Sequence, residues 1–368
     1  MVDRSSPNAA PPGRPPRQPL SAASLVLRLG GIAVIVAAVA GAFAYVHGNL
    51  DPQRLTPKAL VDVLEKNNGV HPGFRRNHAK GVCVIGHFES SGEARAFSTA
   101  QVFNLPQTPV VGRFALPAGN PYAPDSAVPI RSLALRFTQA NGQQWRTGMN
   151  SMPVFPVGTP KAFYQLQQAQ SPDPATGKPD PTKVPAFFAA HPEAVPFLTW
   201  VKTAKPSASY ATETYNSINA FYLVDGNGKK QAVRWSMTPL AQDAAGATAP
   251  EGADFLDKDL VQRLAAAPLR FQLNITLANA DDPVNDASKT WPANRKVLNA
   301  GTLVLEKTQP QLSGECRDIN YDPLVLPAGI QGSEDPLLAA RSAGYADSYL
   351  RRTSEVSQLP AAKQEARP

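Results

Sequence analysis

What the chain has little of narrows it first. Of 368 residues only two are cysteine, five are histidine and 18% are charged. Cys83 and Cys316 stand far apart and in no metal-binding spacing, so thiolate-ligated zinc and iron–sulfur centres are excluded. For such a pair two buried free thiols are the commoner arrangement, and a single disulfide stays open if the chain is exported. The net charge is +7, four arginines precede Leu29, and no basic run is interleaved with aromatics. Nucleic acid is therefore not an expected partner. What is abundant is proline, 37 residues concentrated in 7–19, 105–129 and 153–205. Its usual share is about 5%, so a loop-rich body with long surface connections is expected. Length alone suggests about two domains, but β-rich folds of this size often form one.

Residues 1–24 are Pro, Ala, Arg and Ser without apolar periodicity and read as a disordered cytoplasmic tail. Leu29–Val46 then runs eighteen residues without a charge. A membrane-spanning helix needs roughly 17–25 such residues, so a transmembrane anchor is expected over 25–47. Arg4, Arg14, Arg17 and Arg28 precede it and only Asp51 and Arg54 follow closely. The bias of positive charge toward the cytoplasm places the anchor in the inner membrane as a single pass, with everything after about residue 47 on the periplasmic side. A cleaved signal peptide is the rival reading, because Ala42-Phe-Ala44 has the small-x-small form. Residues 48–54 read as a linker and 354–368 as a second disordered tail.

Thr56-Pro57 opens and Gly69 closes a helix with Leu60, Val61, Val63 and Leu64 inward. From His78 onward the pattern changes to short runs rich in β-branched and aromatic residues. Strands are expected at 81–89, 110–116, 132–138, 144–149, 218–224, 231–235, 269–277 and 301–305. Asp225-Gly-Asn-Gly228 is a hairpin signal between two of them. Two helices are expected within 157–202, one over 255–267 and one over 337–352. The fold class is α+β: an eight-stranded antiparallel barrel with helical insertions, preceded by one transmembrane helix. A barrel of this size holds either one ligand or a packed core.

Two clusters carry chemistry. On the last helix Arg341, Tyr345, Tyr349 and Arg352 share one face by their spacing. They read either as a core edge of tyrosine rings and arginine stems or as a phenolate beside a guanidinium, able to ligate haem iron. Arg75-Arg-Asn-His78-Ala-Lys-Gly81 precedes the first strand. A lone histidine there is usually a surface or hydrogen-bonded residue, but one held near neutrality can move a proton between two peroxide oxygens.

His78-Ala-Lys-Gly resembles the distal-histidine motif of the monofunctional haem catalases, and Arg341-x-x-x-Tyr345-x-Asp347 resembles their proximal motif. Val111-Gly-Arg113-Phe114, Pro153-Val-Phe155, Asn285-Asp-Ala-Ser-Lys-Thr-Trp291-Pro292, Asp322-Pro323 and Pro327-x-Gly-Ile330 follow the family's landmarks in order. The resemblance covers about residues 55–353. A short catalase-like body behind an anchor or export signal is similar to the catalase-related peroxidase subfamily. The resemblance implies haem b as cofactor, Tyr345 as iron ligand and Arg341 as its counter-charge. It implies His78 as the group that moves the peroxide proton, with Asn150 as the distal amide. Arg75, Arg113 and Arg352 would bind the haem propionates and Phe163 would cover the ring. The implied reaction is reduction of hydrogen peroxide or organic hydroperoxides through a ferryl haem, with small organic electron donors, in a monomer or loose dimer.

Several positions depart from the family pattern. Counting back from Pro153 puts Ser151, not Asn150, at the distal amide position, and one residue's shift in a strand turns a side chain to the other face. Asn77 stands where a valine is usual, Ala115 where a serine supports the distal histidine, and Tyr349 where the proximal helix carries histidine. These changes weaken the expected distal hydrogen-bond network, so dismutation is expected to be weak. Two rivals remain: a hydroperoxide lyase or allene-oxide-synthase-like isomerase on the same fold, and a non-catalytic membrane-tethered ligand-binding barrel.

Overall fold

The alternating runs of the sequence do close on themselves. The structure, a computed structural model, describes residues 21–46, 54–205, 207–241 and 252–358. Among the described residues ten strands form one sheet: β1 (Gly81–Ser90), β2 (Gln107–Ala115), β3 (Ser132–Thr138), β4 (Gln144–Asn150), β5 (Tyr215–Asn216), β6 (Phe221–Val224), β7 (Lys230–Pro239), β8 (Leu269–Leu277), β9 (Val297–Gln309) and β10 (Ile330–Gly332). Pairing runs β1–β2–β3–β4–β5–β7–β8–β9 and back to β1, an eight-stranded antiparallel barrel without a free edge. The β6–β7 hairpin closes through Asp225–Lys229, and β10 adds to β6.

The segment expected as one strand over 218–224 is broken. Ile218 has φ of +66°, a region a β-branched residue rarely adopts, and the chain turns there. The strand that completes the ring is Tyr215–Asn216, before the break, and β6 starts only at Phe221. The ring is therefore right in number but differs in one member.

Strand alternation fixes what lies inside the barrel. Val84, Phe88, Val110, Phe114, Leu133, Leu135, Phe137, Trp145 and Met149 point into one core with Trp235, Phe221 and Phe271. Ring pairs such as Phe137–Trp145 at 4.6 Å and Phe221–Trp235 at 4.2 Å fill it. Trp235 Nε1 donates to Thr147 Oγ1 at 3.0 Å, so this amphipathic ring is satisfied as well as buried. The interior is a packed core rather than a ligand cavity, and the ligand-binding-barrel reading loses its site.

Helices cover the outside. α2 (Pro57–Asn68) starts as its sequence indicates, with Thr56 Oγ1 accepting from Ala59 N at 3.1 Å. The 157–202 region holds three helices rather than two: α3 (Pro160–Ala169), α4 (Lys183–Ala190) and α5 (Val195–Thr203). His191 leaves helical geometry and Pro192 follows, which divides the second expected helix. α6 (Phe255–Ala266) lies where expected.

α7 (Pro336–Gln358) runs five residues beyond the expected start of the C-terminal tail. Glu355 accounts for the extension: its carboxylate accepts from Gly73 N at 2.7 Å and pairs with buried Arg76. Residues 359–368, 1–20 and 47–53 lie outside the described residues, so the tail and linker expectations for them stand as made.

Residues up to Arg54 form a separate unit from Leu55 onward. Its helix α1 (Ala22–Val46) starts before residue 25, because Ser21 caps it by accepting from Ser24 N and Leu25 N. Its most apolar window has a mean hydropathy of 2.3 with no side chain buried. By length and composition it can cross a membrane, and a signal sequence has the same character.

Cys83 on β1 and Cys316, 233 residues apart, form a disulfide. The pairing left open by the sequence is thus a cross-link rather than two free thiols.

Candidate active site

The outward residues of β2, β3 and β4 form two short rows. Register aligns Arg113, Ala134 and Gly148 in one, and Ala115, Ser132 and Asn150 in the next. Alternation forces this face outward, because the residues between them fill the barrel core. Apart from the arginine and the asparagine the rows are small, so they make a shallow floor. α7 lies close above it. A Cβ on Gly148 would stand 3.1 Å from Arg341 Nη2 and 3.4 Å from the Tyr345 hydroxyl, so a side chain there would crowd both groups. Between this floor, α2, α3 and α7 lies a cavity of about 590 Å³.

All eight residues singled out from the sequence line that one cavity: Arg75, His78, Arg113, Asn150, Phe163, Arg341, Tyr345 and Arg352. The departures Asn77, Ala115 and Tyr349 line it as well, whereas Ser151 does not. Ser151 Oγ instead accepts from Arg131 N at 3.1 Å, and Ser151 N donates to Arg131 O. Asn150 reaches the cavity without a bulge, since β3–β4 keeps one register from Thr138–Gln144 to Ser132–Asn150. Counting back from Pro153 misleads because the strand ends at Asn150 and irregular chain intervenes.

His78 sits in left-handed backbone, φ +56°, with its N–H donated to Asn77 Oδ1 at 2.9 Å. Strain of this kind persists where surroundings over-determine it. Here Arg76 is held by Glu65 and Glu355, and Lys80 lies 2.7 Å from both Asp125 and Asp254. The accessible part of the imidazole faces the cavity. Burial, reinforced by the charges of Arg113, Arg341 and Arg75, pushes its pKa down to about 3. The ring is therefore neutral at pH 7 and free to take a proton. Asn150 Oδ1 accepts from Ser132 Oγ, which leaves the amide nitrogen as the donor toward the cavity.

Arg341 is clamped on α7. Its Nη2 donates to Gly148 O at 2.8 Å and its Nη1 to Asn219 Oδ1 at 2.5 Å, and its Cζ lies 5.9 Å from the Tyr345 ring centroid. Buried Asn219 in turn donates to Asp335 Oδ2 at 2.8 Å, and Asp335 caps α7 by accepting from Leu337 N. Nothing in the sequence marked Asn219. The strained Ile218 beside it explains how a loop residue reaches the arginine. Gly148 was within reach of sequence reasoning, standing two residues before Asn150 and so on the same strand face.

At another edge three guanidiniums gather. Arg75 Nη2 donates to the carbonyls of Cys316, Arg317 and Ile319 at 3.0, 3.2 and 3.1 Å. Arg113 Nη2 donates to Ala79 O and Gln311 Oε1, and Arg352 Nη1 to Arg317 O. Burial first, then the charges of Arg113 and Arg352, pull Arg75 well below the usual arginine range. Burial likewise lowers Arg352 and brings Arg113 down to about 10. Among the described residues Arg75 and Arg113 have no ion pair, and the nearest carboxylate to Arg352 is exposed Asp318 at 3.8 Å. The Nε atoms of Arg113 and Arg352 are buried without a hydrogen-bond partner. Such a cluster calls for anions from outside the chain. Much of the remaining wall is apolar, with Phe155 and Phe163 rings 5.5 Å apart and Val61, Leu166 and Ile130 nearby. The whole fits a flat apolar group with carboxylates at one edge.

Comparison with known proteins identifies the family. The family model described as Catalase matches residues 47–367. The catalase-related peroxidase of Synechococcus elongatus is 38% identical over 304 residues, 81% of this chain and 89% of that protein. The catalase-related peroxidase of Mycolicibacterium paratuberculosis is 28% identical over 81% of this chain and 95% of its own length. Catalase A of Saccharomyces cerevisiae superimposes with a TM-score of 0.69 at 20% identity, over 80% of this chain and 64% of that one. The chain thus spans nearly the whole of the short relatives but under two thirds of that catalase. It belongs to the catalase family, as a catalase-related, peroxide-acting oxidoreductase.

Proposed function

We propose that this cavity binds haem b with Tyr345 as the iron ligand, and that the protein reduces hydrogen peroxide or organic hydroperoxides at the expense of small organic donors. Bound haem would supply a redox-active iron that takes up the oxidising equivalents of peroxide and passes them to the donor. The observation that carries the reading is the pairing, in one cavity, of a tyrosine–arginine couple with a half-buried, neutral histidine and an arginine cluster whose nearest carboxylate among the described residues is exposed Asp318 at 3.8 Å. Arg75, Arg113 and Arg352 hold the propionates, where a planar fork suits a carboxylate. Arg341 sets positive charge beside the phenolate oxygen. Phe163 packs on the macrocycle.

His78 takes the proton from one peroxide oxygen at a ring nitrogen and returns it to the other as the O–O bond breaks, so that water or an alcohol leaves. Asn150 donates its amide to the peroxide and orients it. Ala115 offers no hydroxyl and Asn77 directs its oxygen to the His78 backbone, so fewer groups orient a second peroxide. Donor oxidation then outpaces dismutation. The apolar helix α1, the arginines before it and the Cys83–Cys316 disulfide support an inner-membrane anchor with the barrel in an oxidising compartment. A monomer or loose dimer is the proposed state.

The decisive measurement is an absorption spectrum of the purified protein with and without peroxide and a donor dye. A Soret band that changes with peroxide and returns with donor is expected. Oxygen evolution from peroxide as fast as donor oxidation overturns the peroxidase assignment. Conversion of a fatty-acid hydroperoxide with no donor present would favour the isomerase instead.

A further inference from the structure

We propose that the Cys83–Cys316 disulfide is a positioning element for the cofactor's carboxylates, acting through the loop 310–321 that aims the arginine cluster. This rests on the haem reading above and names the part of the chain that keeps the clasp in shape.

The loop joins β9 to the segment before β10 and has no regular secondary structure. Yet it contacts every arginine of the cluster. Gln311 Oε1 accepts from Arg113 at 2.6 Å, Arg317 O accepts from Arg352, and the carbonyls of Cys316, Arg317 and Ile319 share Arg75 Nη2. Backbone carbonyls aim a guanidinium only as well as the backbone itself is fixed. Three like charges that repel one another in a buried corner would otherwise splay apart, with a gain in side-chain entropy.

Turn hydrogen bonds at Gly314, Arg317 and Ile319 shape this backbone, and Glu315 N to Gln309 Oε1 and Arg146 to Asn320 O hold its ends, but little of it is packed. Between 310 and 320 only Cys316 and Ile319 are buried, and they pack with Cys83, Val111 and Tyr321 in a small cluster outside the barrel core. Cys83 pairs across the β1–β2 ladder with Arg113, so the cross-link stands on the strand pair that carries one of the three arginines. The loop closes over it tightly: a Cβ on Gly314 would lie 3.0 Å from Cys83 Sγ and 2.7 Å from Gln309 Cβ. The disulfide is thus the covalent tie between the barrel wall and the carbonyls that point Arg75 and Arg352.

The test uses the full chain carrying Cys83→Ala with Cys316→Ala, and in parallel Cys83→Val with Cys316→Ala to refill the volume, each checked for native circular dichroism. Haem and haem dimethyl ester, whose propionates carry no charge, are titrated into the cofactor-free proteins by absorbance. The native protein is expected to prefer haem by about ten- to a hundredfold, the worth of charge-assisted hydrogen bonds. In the variants haem affinity is expected to fall about tenfold while ester affinity is unchanged, so the preference narrows. Equal losses for both ligands, or no loss, overturn the proposal, since a merely structural cross-link does not distinguish them. Amide hydrogen exchange of the cofactor-free proteins supplies a readout independent of haem. Faster exchange confined to 310–321 is expected, and unchanged exchange there overturns the tie. A native protein that binds neither haem nor ester overturns the haem reading instead, and the exchange result still decides whether the disulfide holds the loop.

Discussion

The same three strands present two opposite environments. Facing inward, β2, β3 and β4 carry Phe114, Leu133, Leu135, Phe137, Trp145 and Met149 into a core with no room for a ligand. Facing outward, one residue away in each case, they carry Arg113, Ala115, Ser132, Ala134, Gly148 and Asn150 to a cavity wall. The inner face is explained by folding alone: apolar area leaves water and rings pack at van der Waals distance. The outer face is not. Clustered arginines with only exposed Asp318 near one of them, and left-handed backbone at His78 and Ile218, work against stability, and persist because the core behind them is secure. One side of the sheet holds the fold and the other side spends its margin on a site.

The sharpest way to break that division is Tyr345→Phe. The ring still packs and the fold remains, but on the proposed haem reading the iron would lose its ligand oxygen, so loss of the Soret band and of peroxide turnover is expected. Retention of a native spectrum would remove the basis of the haem assignment. Next in size, His78→Ala should keep the Soret band and slow peroxide reduction by about 10²–10⁴, the range for a positioned proton carrier. Stopped-flow spectra on mixing with peroxide measure it.

The low pKa of His78 adds a pH test. Held down to about 3 in the folded protein, the ring stays neutral as pH falls. An unfolded histidine takes its proton near 6.5. Between these values the unfolded chain binds more protons, so this residue makes stability rise with pH through that window and contributes nothing above it. The rate of the peroxide step should accordingly show no ionisation near 6.5. A step there, absent in His78→Ala, would show the imidazole to be solvated.

On the inner face Leu135→Ala should do the reverse. It should cost about 2–5 kcal/mol of unfolding free energy, as for a fully buried leucine, and leave the Soret position and the peroxide rate constant unchanged at a temperature where the protein is folded. Denaturant unfolding followed by tryptophan fluorescence reads the first and the spectrum reads the second.

The sequence carried the elements built on period and capping. Thr56-Pro57 starts a helix and Asp225-Gly-Asn-Gly228 turns a hairpin, because each is a local preference. It also carried the residues of the cavity, through short motifs whose order matched a known family. It did not carry β5, since two residues have no alternation to detect. Nor did it show that the cavity lies outside the barrel, which depends on register between strands far apart in the chain. Asn219 was hidden for a related reason: its role depends on a turn at Ile218 that no glycine or proline announces. The disulfide was equally silent, because a spacing of 233 residues says nothing of distance in the fold. The motif count pointed to Ser151, whereas in the structure Asn150 lines the cavity and Ser151 does not, because β4 ends at Asn150 before the irregular chain that reaches Pro153.

That last position offers the smallest effect and the finest test of the comparison, because the two environments meet within one dipeptide. Asn150 is the final residue of β4, paired with Ser132, and its side chain enters the cavity. Ser151 turns away and bonds to the backbone of Arg131. If the amide orients peroxide by one hydrogen bond, Asn150→Ala should slow the peroxide step by about tenfold, the worth of roughly 1–1.5 kcal/mol, with little change in stability because the Ser132 hydroxyl can turn to the cavity. Ser151→Ala should leave the rate unchanged and lower stability by about 1 kcal/mol, since Arg131 N loses its acceptor beneath the surface. The two variants alter neighbouring residues, one losing a carboxamide and the other a hydroxyl, so peroxide rates and unfolding curves read together isolate the direction each side chain points. A rate loss at Ser151 with none at Asn150 would mean that the strand ends one residue later than β4 does, and that the distal wall is built from the other face of the chain.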